Sequence, residues 1–154
     1  MKFDTILIPT DFSPASRHAM HYAIGFAKRF NSHLDLLHVT EDVPALTYVD
    51  SVGFDMAHFQ TRLKEDAEQE FERLVRETPD LGDLRHAIHL RSGVPYMEII
   101  SQAQDTKIDL IILATHGRSG LSHFLMGSVA EKVVRNSPCP VLTVKMPDFK
   151  FEQA

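Results

Sequence analysis

Five short apolar runs recur along the chain, separated by stretches of helical periodicity. The first, Thr5-Ile6-Leu7-Ile8-Pro9, is apolar at consecutive positions, as a parallel strand covered on both faces requires. Ser13 and Pro14 then form an N-cap and first-position pair. Ala15, Ala19, Tyr22, Ala23, Phe26, Ala27 and Phe30 follow at helical spacing and predict a core-facing stripe. Asn31 and Ser32 break that helix, and Leu34, Leu36, Leu37 and Val39 predict a second strand that closes in Thr40-Glu41-Asp42. Residues 43–56 contain Pro44 and Gly53 without a period and read as a mobile loop. A long helix comes next, with Leu63, Ala67, Phe71, Leu74 and Val75 on one side and a charged face read as solvated.

Thr78-Pro79-Asp80-Leu81-Gly82 ends that helix. Ala87-Ile88-His89-Leu90 is a third strand, and Arg91-Ser92-Gly93-Val94-Pro95 turns into a helix carrying Tyr96, Ile99, Ile100 and Ala103. Ile108 to Leu113 is the fourth strand, 129–136 a helix, and Val141 to Val144 the fifth strand. The alternation predicts an α/β fold: a five-stranded parallel doubly wound sheet with right-handed crossovers and helices on both faces. It reads as one domain over residues 1–146, with 147–154 a flexible C-terminal tail.

Ligands of such sheets sit beyond the carboxyl ends of the strands, where the strand order reverses. Five strands allow the order 2-1-3-4-5 or 3-2-1-4-5, and both put that crevice beside strand one. The loop after strand three offers Ser92 and Gly93 before Pro95, which has no N–H. The loop after strand four, which leads from Ala114 to the helix start at Ser128, holds Gly117, Gly120, Gly127, the two serines Ser119 and Ser122, and Arg118. That contrast favours 3-2-1-4-5.

A strand that empties through glycines into a helix N-terminus can bind an anion, because the first helical turn presents unpaired N–H groups and a positive dipole end. The same residues also fit an ordinary turn, with Ser128 and Glu131 as an S-x-x-E capping box. Neither G-x-x-x-x-G-K-[ST] nor G-x-G-x-x-G is present. The chosen order places Asp11 opposite the glycine loop. A carboxylate facing phosphate needs a divalent cation or ribose hydroxyls between them; alternatively, Asp11 is a turn residue that accepts backbone N–H bonds.

Composition narrows the classes. A formal charge of −5 over 154 residues argues against a general nucleic-acid surface. No apolar run approaches the roughly 18–20 residues of a membrane span. The lone Cys139 lies between Pro138 and Pro140, reads as a structural thiol, and fits a cytoplasmic setting. His116 and His123 are the nearest acid–base candidates and Arg118 the nearest cation for transferred charge, but His116 equally suits a loop residue bonding the backbone. His18 and His21 stand three apart without a matching pair for zinc, and no G-x-S-x-G elbow occurs.

Several stretches together resemble the universal stress protein family: I-L-I-P-T-D-F-S at the start, the G-V-P turn, T-H-G-R-S-G-L, G-S-V-A-E-K-V and S-P-C-P-V-L-T-V-K. The resemblance spans Lys2 to Lys145. Nucleotide-binding members carry G-x2-G-x9-G-[ST] after strand four, and this chain aligns Ala114, Gly117, Gly127 and Ser128 with it. The resemblance implies the 3-2-1-4-5 sheet and an ATP site between the ends of strands one and four. Gly117, Met126, Gly127, Ser128 and Val129 would meet the phosphates and ribose, on a loop that includes Ala114 and Arg118. Pro9, Thr10 and Asp11 would line the ribose and metal side, Asp11 through Mg²⁺, and Val39 would hold adenine through backbone groups. A homodimer through Val141 to Val144 is also implied. Ala114 replaces the first motif glycine: a methyl is strained there if the position needs positive φ, and fits if it needs only a small side chain. Three roles follow: an ATP-binding regulatory switch or adaptor of the stress response, a nucleotide-free dimer that binds another protein, or a slow ATPase.

Overall fold

A computed structural model describes residues 2–41, 56–117 and 126–147. The strands are β1 (Thr5–Pro9), β2 (His33–Thr40), β3 (His86–Ser92), β4 (Leu110–Ala114) and β5 (Val141–Val144). The helices are α1 (Pro14–Phe30), α2 (Met56–Glu77), the short α3 (Pro79–Gly82), α4 (Pro95–Asp105) and α5 (Ser128–Asn136). All strand pairs are parallel and the order is β3-β2-β1-β4-β5, the 3-2-1-4-5 arrangement that the loop chemistry favours. Most of the loop read at 43–56, and the tail from 148, lie outside the described residues; α2 begins at Met56.

The consecutive apolar runs serve two cores because successive side chains leave opposite faces of a strand. Ile6, Ile8, Leu34, Leu36, Leu110 and Ile112 meet α1 and α2 through Ala19, Met20, Ala23, Phe71 and Leu74. Leu7, Leu37, Ile111 and Leu113 meet α4 and α5 through Ile99, Ala103, Ala130 and Val133. The buried stripe of α1 is Ser16, Ala19, Met20, Ala23, Ile24 and Ala27. Tyr22 and Phe30, expected in it, are exposed, since α1 is rotated to seat Met20 and Ile24 on the sheet. Phe30 instead closes an aromatic group with Phe26, in which Phe3 meets both rings edge-on.

Boundaries shift for local reasons. α1 ends at Asn31 in the left-handed conformation (φ 57°), with Ser32 N–H bonded to Ala27 C=O. β4 starts at Leu110 rather than Ile108, because Ile108 N–H returns to Ala103 C=O to finish α4. Asp109 then receives the N–H groups of Asp4 and Thr5 on Oδ2, which pins β4 beside the start of β1. Among the described residues, no helix is long and apolar enough to cross a membrane.

Candidate functional site

The sheet order opens a cavity of about 900 Å³ at the carboxyl ends of β1, β2 and β4. Its first wall is the turn from β1 into α1. Thr10 N–H donates to Leu37 C=O at 2.8 Å, after which the chain leaves the sheet. The turn is bonded by its own side chains: Phe12 N–H donates to Thr10 Oγ1 at 3.0 Å, Ser13 N–H to Asp11 Oδ1 at 3.1 Å, and Ser16 N–H to Ser13 Oγ at 3.2 Å. Ser13 and Pro14 thus act as the cap and first-position pair that their order predicts. Phe12 has φ 62°, a left-handed conformation that costs a bulky residue roughly 1–2 kcal/mol. Its ring offsets this by packing against His38 at 4.6 Å and, edge-on, Phe71 at 5.0 Å between ring centres.

The second wall is the passage from β4 into α5. Ala114 pairs with Val144 as the last residue of β4, and the residues with positive φ other than glycine are Phe12, Asn31 and Lys107 among those described. The strained reading of Ala114 is therefore excluded: its backbone is that of a strand. Gly127 N–H donates to Thr115 C=O at 2.7 Å, so the chain re-enters beside the point where it left β4. Gly127 is the N-cap of α5 and carries no side-chain cap, while Ser128 is already helical. The expected capping box is thus absent. Glu131 bonds its N–H to Gly127 C=O and turns its carboxylate to Arg135 at 3.0 Å. The first-turn N–H groups are those of Ser128, Val129 and Ala130, which have no side-chain cap among the described residues and all lie on the cavity wall.

The two walls touch. A β-carbon on Gly117 would fall 2.7 Å from Asp11 Oδ2, so any larger residue there must displace the Asp11 carboxylate. Pro9, Thr10, Asp11, Val39, Ala114, Gly117, Gly127, Ser128 and Val129 all line the one cavity. Met126 is exposed and off the wall, and Arg118 lies outside the described residues. Val39 sits two residues past the last β1–β2 rung, so its backbone N–H and C=O point to the side that β1 has vacated.

Other lining groups are not predicted from the sequence alone. Phe59, Leu63, Asp66, Glu70 and Arg73 of α2 form a third wall, although the charged side of that helix reads as solvated. Arg17 explains part of this: Nη1 donates to Glu77 at 2.7 Å, Nη2 lies 3.7 Å from Glu70, and Nε donates to Phe12 C=O at 3.3 Å. Arg73 completes the network with Glu70 at 2.8 Å. His38 and Thr115 are buried beside the cavity, and His116 Nδ1 lies 3.0 Å from Thr115 Oγ1. The spacing of His38 within a strand gives no sign of its role, because its partner is distant in sequence. Cys139 is half-buried, and burial pushes its thiol above the ordinary range while Ser137 Oγ partly counters this.

An open parallel sheet with a cleft at its switch point, one wall an uncapped helix N-terminus and the other a carboxylate turn, is the doubly wound α/β architecture, in which ligands sit at this end of the strands. The universal stress protein family model matches residues 2–145, and the chain belongs to the universal stress protein family. It is 34% identical over 145 residues to universal stress protein MJ0531 of Methanocaldococcus jannaschii, covering 94% of this chain and 84% of the relative. It is 32% identical to universal stress protein MJ0577 of the same archaeon, covering 93% and 95%. A solved structure of MJ0577 superposes with a TM-score of 0.81 at 30% identity, covering 96% of this chain and 99% of that one. A universal stress protein family member from Arabidopsis thaliana with AMP bound shares the fold at 17% identity and a TM-score of 0.62, covering 94% and 92%.

Proposed function

We propose that this cleft binds an adenine nucleotide, ATP with Mg²⁺, and that the protein is a regulatory switch or adaptor whose surface responds to occupancy. The observation that carries the reading is the meeting of two unlike walls, with Asp11 Oδ2 against Gly117 at the mouth of an uncapped α5. Phosphates fit the α5 end, where Ser128, Val129 and Ala130 present N–H groups and the dipole is positive. Val39 fits the base: a backbone N–H beside a C=O matches the N1 acceptor and N6 donor of adenine and opposes the reversed pattern of guanine. Asp11 suits ribose hydroxyls or one carboxylate ligand of Mg²⁺, which commonly takes one or two carboxylates plus phosphate oxygens. Pro9 and Thr10 shape that side, and Ala114 brings only a methyl beneath the ligand. The AMP-bound Arabidopsis protein supports the architecture; the contacts are argued from this chain's own groups.

The same reading takes residues 1–146 as one domain working in the cytoplasm. Two copies join through β5, an edge strand whose Val141, Leu142 and Thr143 are half-buried in one copy. The deciding measurement is thermal unfolding of nucleotide-free protein with and without MgATP. A ligand at a hundredfold excess over Kd stabilises the native state by about 2.7 kcal/mol. An unmoved midpoint would reject nucleotide binding and leave the nucleotide-free interaction dimer. A monomer by sedimentation at micromolar concentration would reject the β5 pairing.

A further inference from the structure

His38 does, with its ring, what the β1–β2 ladder would otherwise do with the backbone. In a parallel ladder, residues two apart on a strand direct their N–H and C=O to the same neighbour. On β2 these are His33, Asp35, Leu37 and Val39: His33 N–H donates to Asp4 C=O, and Thr10 N–H donates to Leu37 C=O. The next rung would join Val39 N–H to Thr10 C=O. Instead that carbonyl accepts from His38 Nδ1 at 2.8 Å. A carbonyl has no proton to give, so the ring carries its proton on Nδ1. The imidazole is buried and packs, tilted, against Phe12, whose left-handed backbone sets the turn that carries Asp11.

We propose that His38 is a positioning residue for the base subsite: by bonding Thr10 C=O, it takes the place of Val39 N–H in the ladder and keeps that donor available to the edge of the purine. This rests on the adenine reading above. The role has a conservative mimic, because Asn places an N–H donor at the same δ position as His Nδ1. Gln carries its amide one atom further out, and Leu has no donor.

Amide hydrogen exchange of Val39 in ligand-free protein and calorimetric titration with AMP test the proposal together. Val39 N–H exchanges fast in the wild type and in His38→Asn. In His38→Leu it takes Thr10 C=O and exchanges at least about tenfold more slowly. AMP binds His38→Asn within about threefold of wild type and His38→Leu about tenfold more weakly, the size of one lost neutral hydrogen bond. Unchanged Val39 exchange in His38→Leu, or equal AMP affinity in all three proteins, overturns the role of His38. Protection gained in His38→Leu beside a wild type that binds no AMP overturns the nucleotide reading alone and leaves the hold on Val39 standing. If His38→Leu does not fold, His38→Gln decides: it must bind AMP about tenfold more weakly than His38→Asn, and equal affinity overturns the proposal.

Discussion

Helices α4 and α5 lie side by side on one face of the sheet, close enough for Lys132 Nζ to sit 4.8 Å from the centre of the Tyr96 ring. Both begin without a side-chain N-cap. Their N-termini nevertheless differ in what the chain itself supplies. At α4, Pro95 removes one donor, and the N–H groups of Met97 and Glu98 both turn to Val94 C=O at 2.9 and 3.1 Å. Glu98 folds back over the entry, so that a β-carbon on Gly93 would fall 3.0 Å from its Oε1. At α5, Ser128 keeps its N–H, and the first-turn carboxylate of Glu131 is drawn away by Arg135. One positive helix end is answered from within, and the other is the end at which the phosphates are proposed to sit. An anion site therefore depends as much on a withheld carboxylate as on glycine.

Reversing that difference should have the largest effect. Gly127 has φ −56° and ψ 146°, which any residue adopts, and a β-carbon there would stand 3.1 Å from Thr115 C=O. Gly127→Asp places a capping carboxylate where the phosphates are proposed to lie. The expected outcome is at least about a hundredfold loss of ATP affinity by calorimetry, with stability within about 1 kcal/mol of wild type, as a gained cap offsets a tight contact. Undiminished affinity would place the phosphates elsewhere.

Next comes the contact between the two walls. Gly117→Ala drives a methyl against Asp11 Oδ2 and displaces that carboxylate, costing about 1 kcal/mol and about tenfold in ATP affinity. Asp11→Ala should relieve the stability cost, so the two substitutions are non-additive in thermal unfolding. Additive losses would show that the tips do not press on each other in solution.

How far these features are legible in the sequence depends on where the partner lies. The strand order is readable because two loops differ in donors: Pro95 subtracts one, while the glycines after β4 let backbone come close. The Ser13–Pro14 start of α1 is equally local and equally readable. Ser128 and Glu131 have the spacing of a capping box, yet the bond from Gly127 N–H to Thr115 C=O makes Gly127 the cap, and that bond joins residues twelve apart. Ala114 admits two readings until its pairing with Val144 fixes an extended backbone. His38 and the charged side of α2 are the least readable. Their partners, Thr10 and Arg17, come from elements brought near only by the crossovers.

The smallest effect tests the other half of the comparison. Val94 is extended (φ −81°, ψ 116°), half-exposed and at the N-cap of α4, so Val94→Ser offers a hydroxyl to Tyr96 N–H without disturbing the core. Replacing an uncapped residue with serine gains about 0.5 kcal/mol in a helix already partly satisfied by Val94 C=O. Because Glu98 already holds the α4 end and the phosphates are assigned to α5, ATP affinity should stay within about twofold of wild type. A serine that stabilises the fold and leaves ATP binding alone, beside a Gly127→Asp that keeps near-wild-type stability and loses ATP, would mean that the same capping chemistry is structural at one helix and competes with the ligand at its neighbour. If Val94→Ser weakened ATP binding severalfold instead, α4 would share the anion, and the contrast between the two helix ends would be one of degree.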